Sequence, residues 1–397
     1  MALKFSTVPS NAKQPLSPFT VSVSDEQIEE FRTLVRLSKI APPTYEGSQE
    51  DRRLGLPTAW LANAKEELQR FDWREAEKHI NGFPQFTREI EGLTVHFVAL
   101  FSEKEDAKPI VFLHGWPGSF LEFLPLLSLF SDKYEPNTLP YHLIVPSLPG
   151  YAFSSGPPVD KDFNGKDIAR VVNKLMIDLG FGAGYIAQGG DVGSRVGRNL
   201  GLYHDSCKAV HLNFLGLGKA PPQAKEEKLS AVQEQGAKRR EWFGIYGTGY
   251  YYMHATRPST IGHILSTNPV ALLTWLGEKF LDWPDNDYPI PLQTILKEVA
   301  LYWFTETFPR SIYTYRELYP PPALHPSVTP EGYIHKPFGF SYFPQEIMPS
   351  PRSWVEATGN LVFWKEHEKG GHFAALERPQ DIADDIVEFV EQVWPTL

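Results

Sequence analysis

The stretch Gly184-Tyr185-Ile186-Ala187-Gln188-Gly189-Gly190-Asp191-Val192-Gly193-Ser194-Arg195-Val196-Gly197 decides the architecture. Residues 184–187 form a short apolar run suited to a strand buried on both faces. Gly189-x-Asp191-x-Gly193 follows, and after it comes helical text whose glycines at 197 and 201 permit close packing against a sheet. Small residues two before and two after a polar one let the backbone turn sharply from strand to helix and push the central side chain outward. That side chain is a carboxylate. Taken alone, Asp191 reads equally well as a cap of the following helix.

Working outward, residues 110–113 and 141–146 are continuously apolar runs bounded by Gly and Pro, and the amphipathic stretch 163–179 has the length of a helix. This alternation predicts an α/β protein with a mostly parallel sheet covered by helices. Upstream, residues 92–100 alternate and are β-branched, as a half-buried antiparallel strand does, and 104–108 is a charged turn. Downstream, strand signals stop at about residue 216. Aromatic-rich helical text takes over, including 269–281 and 292–308, and reads as an inserted cap. Strands return at 336–343 and 360–364, before an amphipathic helix over 380–394. The predicted organisation is an N-terminal extension (1–85) with helical patches at 25–38 and 59–71, a first core segment (86–216), a helical cap (217–328) and a second core segment (329–397).

Composition narrows the function classes. The chain has 397 residues, 42% of them hydrophobic and 22% charged, which suits a large buried core and excludes disorder, collagen and coiled coil. Lys plus Arg total 38 against 48 for Asp plus Glu, and a net charge of −10 argues against nucleic acid and anionic lipid as partners. Cys207 is the single cysteine, so neither an internal disulfide nor a thiolate-rich metal site can form, and a reducing compartment is expected. Residues 1–19 lack an apolar secretory core, and no run of ~18 apolar residues occurs. The expectation is a soluble, cytoplasmic protein without a membrane anchor.

Three features give Asp191 company. His114-Gly115-Trp116-Pro117-Gly118 follows the run 110–113, where a loop can offer the Trp116 backbone N–H to an oxyanion. His114 itself reads as a structural histidine fixing that loop. His372, in Gly370-Gly371-His372-Phe373, comes after the 360–364 strand and before the last helix, where a general base enters late in the chain. Glu346 follows the preceding strand and can hold the imidazole in its working tautomer. Glu366 and Glu368 compete for that task but lie too near His372 on one turn.

Nucleophile, acid and histidine thus follow the order of the α/β-hydrolase arrangement, with Asp in the serine place. A carboxylate displaces a leaving group from saturated carbon and becomes an ester, which water then cleaves at the aspartate carbonyl. The substrate is therefore an electrophilic alkyl carbon, an epoxide or an alkyl halide. Halide departure calls for N–H donors, whereas an alkoxide calls for a proton. Tyr250-Tyr251-Tyr252-Met253-His254 and Ile312-Tyr313-Thr314-Tyr315-Arg316-Glu317 supply phenols, with reference pKa ~10, that can protonate an opening epoxide oxygen. The alternative for both clusters is an aromatic packing core.

These residues resemble epoxide hydrolases of the α/β-hydrolase fold, in particular the branch related to microsomal epoxide hydrolase and its soluble fungal members. The likeness spans nearly the whole chain, including a long N-terminal meander. It is carried by His114 to Ser119, Pro146-Ser147-Leu148-Pro149-Gly150-Tyr151-Ala152-Phe153-Ser154, Gly189 to Gly193, Tyr250 to Pro258 and Gly370 to Phe373. By position, the resemblance implies Asp191 as nucleophile, His372 as base, Glu346 as its charge partner, and Tyr250 and Tyr315 as ring-opening acids. The backbone N–H groups of Trp116 and Val192 would receive the oxyanion. No metal or organic cofactor is implied. The partners are a small apolar epoxide and water, and soluble relatives are often homodimers. Two other readings stay open. One is a haloalkane dehalogenase-like hydrolase, against which stands Val192 where such enzymes usually place Trp. The other is a non-catalytic protein that keeps the scaffold to bind an apolar ligand.

Overall fold

Runs of β-branched and aromatic residues between Gly and Pro produce a sheet of nine strands in the computed structural model, which describes residues 3–13, 15–320 and 325–397. The strands are β1 (Ser17–Pro18), β2 (Gln85–Ile90), β3 (Leu93–Leu100), β4 (Lys108–Leu113), β5 (Tyr141–Pro146), β6 (Tyr185–Gly189), β7 (Cys207–Leu212), β8 (Ile334–Tyr342) and β9 (Gly359–Glu366). Their spatial order is β1-β2-β3-β5-β4-β6-β7-β8-β9. Pairing is antiparallel from β1 through β3 to β5 and parallel from β5 to β9. The β2–β3 hairpin turns on Glu91 and Gly92, both at positive φ (55° and 80°), the backbone that a two-residue turn matching strand twist requires.

Strand β6 is buried along its whole length and β4 beyond Lys108, as expected of strands with helices on both faces. The helix Gly165–Met176 starts at an Asn164 capping box and packs on the helix Asp191–Tyr203, which lies on β6 and β7. A Cβ at Gly201 would stand 2.6 Å from Val210 Cγ2, so glycine sets how closely that helix approaches the sheet. The final helix, Pro379–Val393, lies against β7 and β8.

Between β7 and β8 the described residues form helices and 3-10 turns and no strand: Ala231–Tyr246, Gly249–Thr256, Pro258–Leu265, Pro269–Asp282, Leu292–Phe304 and Thr307–Ser311 are the α-helices. N-terminal helices clasp them. Asp25–Leu37 packs on Pro269–Asp282, and Thr58–Arg70 on Leu292–Phe304. Phe31 meets the Phe304 ring at 5.1 Å between centroids. Among the described residues no helix is long and apolar enough to cross a membrane.

The structure departs from the sequence expectations in several places, beginning with β3, which is expected to be half-buried and is buried at every position but Thr94. The helix expected over 292–308 is broken, because Glu306 adopts φ 51° between Phe304 and the short helix Thr307–Ser311. Strand β7 had no apolar run to announce it: Lys208 and His211 interrupt the pattern, and His211 is buried by bonding to Ser341 at 3.1 Å. The sheet also begins before residue 86, since Ser17–Pro18 pairs with β2.

Candidate active site

At the C-terminal end of β6 the chain reverses into a helix over Gly190 and Asp191, and Asp191 takes φ 44°. This left-handed conformation is uncommon for a residue with a side chain and is tolerated best by Asp and Asn among such residues. It is held by close backbone approach. A Cβ at Gly193 would lie 2.0 Å from the Leu113 carbonyl oxygen, and one at Gly115 would lie 2.3 Å from Asp191 Cβ. The Asp191 carboxylate does not cap its helix. It projects over the ends of the strands, where Trp116 N–H donates to Oδ1 at 2.8 Å. Val192 is buried at the first turn of the helix, where N–H groups have no intrahelical acceptor.

His114 fixes the loop that carries Trp116. Its Nε2 accepts the Leu148 N–H at 3.1 Å, which leaves Nδ1–H to donate to the Gly115 carbonyl at 3.1 Å. Burial lowers its pKa to about 4, so it is neutral and tied up, as a structural histidine should be.

His372 stands between two carboxylates. Its Nδ1 is 2.5 Å from Glu346 Oε1, and its Nε2 is 3.6 Å from Asp191 Oδ2. Burial disfavours the imidazolium, but the Glu346 charge and hydrogen bond, with Asp191 behind them, more than offset it, and the pKa is raised. Glu366 is committed elsewhere, accepting from Ser230 at 2.6 Å and Gln233 at 2.7 Å.

Sequence reasoning missed what holds the histidine. Glu377 accepts the N–H groups of Gly371 and Phe373, each at 2.8 Å, and Asp285 accepts that of Gly370 at 2.8 Å. Trp283 accepts the His372 N–H at 3.1 Å and sets its ring edge-on to the imidazole, 4.9 Å between centroids. No motif announces these four hydrogen bonds and one ring contact: Glu377 reaches back only four to six residues, while Asp285 and Trp283 come from far away in the chain.

Tyr250, in the helix Gly249–Thr256, and Tyr315, in the 3-10 turn Ile312–Leu318, lie edge to face 5.8 Å apart. The Trp116 indole stacks on Tyr250 at 5.5 Å and 10°. Both phenols are buried, and burial first, then the Asp191 charge for Tyr250 and the Tyr250 phenol ahead of Asp191 for Tyr315, pushes their pKa values far up, so both keep their protons. Tyr315 Oη makes no well-formed hydrogen bond among the described residues. Tyr313 instead donates to the Pro149 carbonyl at 2.8 Å, and Tyr252 is exposed. A cavity of about 520 Å³ opens over Asp191, walled by Phe214, Leu217, Tyr250, Tyr315 and Met348. Among the described residues no group of three or more His, Cys, Asp or Glu is placed to hold a metal ion.

Residues 16–123 match the family profile "Epoxide hydrolase N terminus", and residues 108–244 match "alpha/beta hydrolase fold". The structure of Aspergillus niger epoxide hydrolase superposes with a TM-score of 0.94 at 58% identity, covering 98% of this chain and 100% of that one. An enantioselective mutant of that enzyme, generated by directed evolution, gives 0.95 and 59% over the same 98% and 100%. A putative epoxide hydrolase of Dothistroma septosporum is 42% identical over 395 residues, 98% of this chain and 92% of the relative.

The chain belongs to the epoxide hydrolase family. Its α/β-hydrolase fold is that of this family, and the enzyme carries the family's N-terminal segment across β1 to β4.

Proposed function

We propose that this epoxide hydrolase works through a covalent ester on Asp191. The Asp191 carboxylate attacks one epoxide carbon from the side opposite the C–O bond, and the released oxygen takes a proton from the Tyr250 and Tyr315 pair. His372, with Glu346 fixing its Nδ1–H, then draws a proton from water, which adds to the ester carbonyl. The N–H groups of Trp116 and Val192 receive the oxyanion. The observation that carries this reading is the position of the imidazole, 2.5 Å from Glu346 and 3.6 Å from Asp191, opposite two phenols that burial keeps protonated.

The substrate we infer is an apolar epoxide, aryl or alkyl, because aromatic and aliphatic side chains wall the cavity above Asp191. We take residues 217–328 as the cap that closes this cavity and brings both tyrosines to it. Single turnover in heavy-oxygen water is the test. The first diol should contain oxygen from Asp191 rather than solvent, and Asp191 should become labelled. A solvent-labelled first diol over an unlabelled Asp191 overturns the ester. Release of bromide from a bromoalkane at a comparable rate would favour the dehalogenase reading instead.

A further inference from the structure

A second, small space of about 20 Å³ also meets Asp191, bounded by Gly115, Trp116, Glu122, Gln188, Asp191 and His372. That volume exceeds the ~10–15 Å³ needed for one water, and a water is held only where several polar groups converge. They converge here. Gln188 is almost fully buried on β6, its Nε2 donates to Asn213 Oδ1 at 2.9 Å, and its Oε1 has no hydrogen-bond partner among the described residues. Glu122, on the turn Phe120–Phe123, brings a second carboxyl to the same space.

We propose that this chamber seats the water that hydrolyses the Asp191 ester, with the Glu122 carboxyl and Gln188 Oε1 holding it against His372 Nε2. The proposal rests on the covalent reading above and deepens its second half. In that step the water gives one proton to His372 Nε2 and its oxygen bonds to Asp191 Cγ. The bond from Cγ to the alkyl oxygen breaks, and that oxygen leaves as the second hydroxyl of the diol with the imidazolium proton. The carboxyl proton left on Asp191 restores the phenol that was spent in ring opening.

The state of Glu122 fits this task. Burial, the Glu298 carboxyl and Asp191 together push its pKa well up, and burial raises Glu298 itself to about 8 while Ser119 Oγ donates to both its oxygens at 2.9 and 3.0 Å. A neutral Glu122 can bond water without repelling the Asp191 carboxylate that the first step uses. Glutamine offers the same shape and polarity, which makes it the conservative replacement.

Rapid-quench single turnover of styrene oxide by excess enzyme separates epoxide consumption from diol release, and intact mass follows the ester. In Glu122→Met, diol release should slow at least ~10-fold more than epoxide consumption, with ester accumulating, because only the hydrolytic half loses a group. Glu122→Gln should restore the ratio to within about threefold of wild type. Gln188→Met tests the chamber from β6 and should shift the ratio in the same direction. Equal slowing of both halves in the two Met variants, or no change in the ratio, overturns the proposal. Failure of the covalent reading looks different: His372→Gln would then show no ester mass.

Discussion

The Glu346 carboxylate oxygen that meets His372 Nδ1 at 2.5 Å also accepts the backbone N–H of Ile347 at 2.5 Å. One oxygen is thus aimed by the chain's own backbone, while Oε2 is buried without a hydrogen-bond partner among the described residues. Burial alone would lower the His372 pKa; the Glu346 charge and hydrogen bond reverse the sign. The imidazole must be neutral to take a proton from water, so kcat should fall as pH drops through this raised pKa. Glu346→Gln removes the charge and keeps the shape. The acid limb should then move to lower pH while the plateau drops by on the order of 10²-fold, the scale of a disabled general base. A kcat profile from pH 5 to 9 reads both changes, and a limb that stays in place would contradict the assignment.

The same shift has a stability consequence. A pKa raised by folding favours the folded state while the imidazole is protonated, fully so below the unfolded value of ~6.5, and that contribution is lost as pH rises through the higher folded value. His372→Gln should remove this dependence. Denaturant midpoints at pH 5.5 and 8.5 should therefore differ less between those pH values in His372→Gln than in wild type.

Tyr315 offers a separation of activity from stability. Its hydroxyl makes no well-formed bond among the described residues and has only the Tyr250 phenol as a weak neighbour, so Tyr315→Phe removes a buried polar atom at little cost in hydrogen bonding. Tm should stay within about 2 °C of wild type. Epoxide consumption in a single turnover should fall by on the order of 10²-fold, because one proton donor to the opening ring is gone. Tyr250→Phe should behave alike in rate, and the double variant should lose consumption altogether. Full activity in both single variants would return these residues to the role of packing.

How much of this was legible in the sequence depends on how local the cause is. The turn at Asp191 was readable because its glycines stand at fixed short spacing, and the strand cores at 110–113 and 141–146 because apolar runs between Gly and Pro carry their own signal. Glu298 was not readable. It follows Lys297 in a helix and has the look of a solvated charge, yet packing of that helix beside Ser119 buries it fully. Strand β7 failed for a related reason: Lys208 and His211 break its pattern, and what satisfies His211 comes from Ser341 on another strand. Charges that tertiary packing buries carry no periodic mark.

Close backbone approach makes Gly193 and Gly115 sensitive in different ways. Alanine at 193 would force its methyl into the Leu113 carbonyl, backbone that cannot rotate away, and overpacking of this kind costs about 1–3 kcal/mol or more. Gly193→Ala should lower the denaturant midpoint and yield. Alanine at 115 instead meets the Asp191 side chain itself, at 2.3 Å from Cβ. Gly115→Ala should lose epoxide consumption by a larger factor than its drop in stability explains, and unfolding curves beside single-turnover rates distinguish the two cases.

Met348 stands half-buried on the wall of the 520 Å³ cavity. Enlarging it to Trp should narrow the space over Asp191 and leave the imidazole, the phenols and the Trp116 N–H untouched. If this cavity admits the substrate, an aryl epoxide should lose kcat/KM by about 10-fold or more in Met348→Trp, while a small alkyl epoxide changes by less than about 2-fold. The size discrimination expected from one pocket wall is of that order, since each methylene of fit is worth about 1–3 kcal/mol. An equal loss for both substrates would mean that the replacement disturbed the reacting groups, and no loss for either would place the substrate elsewhere.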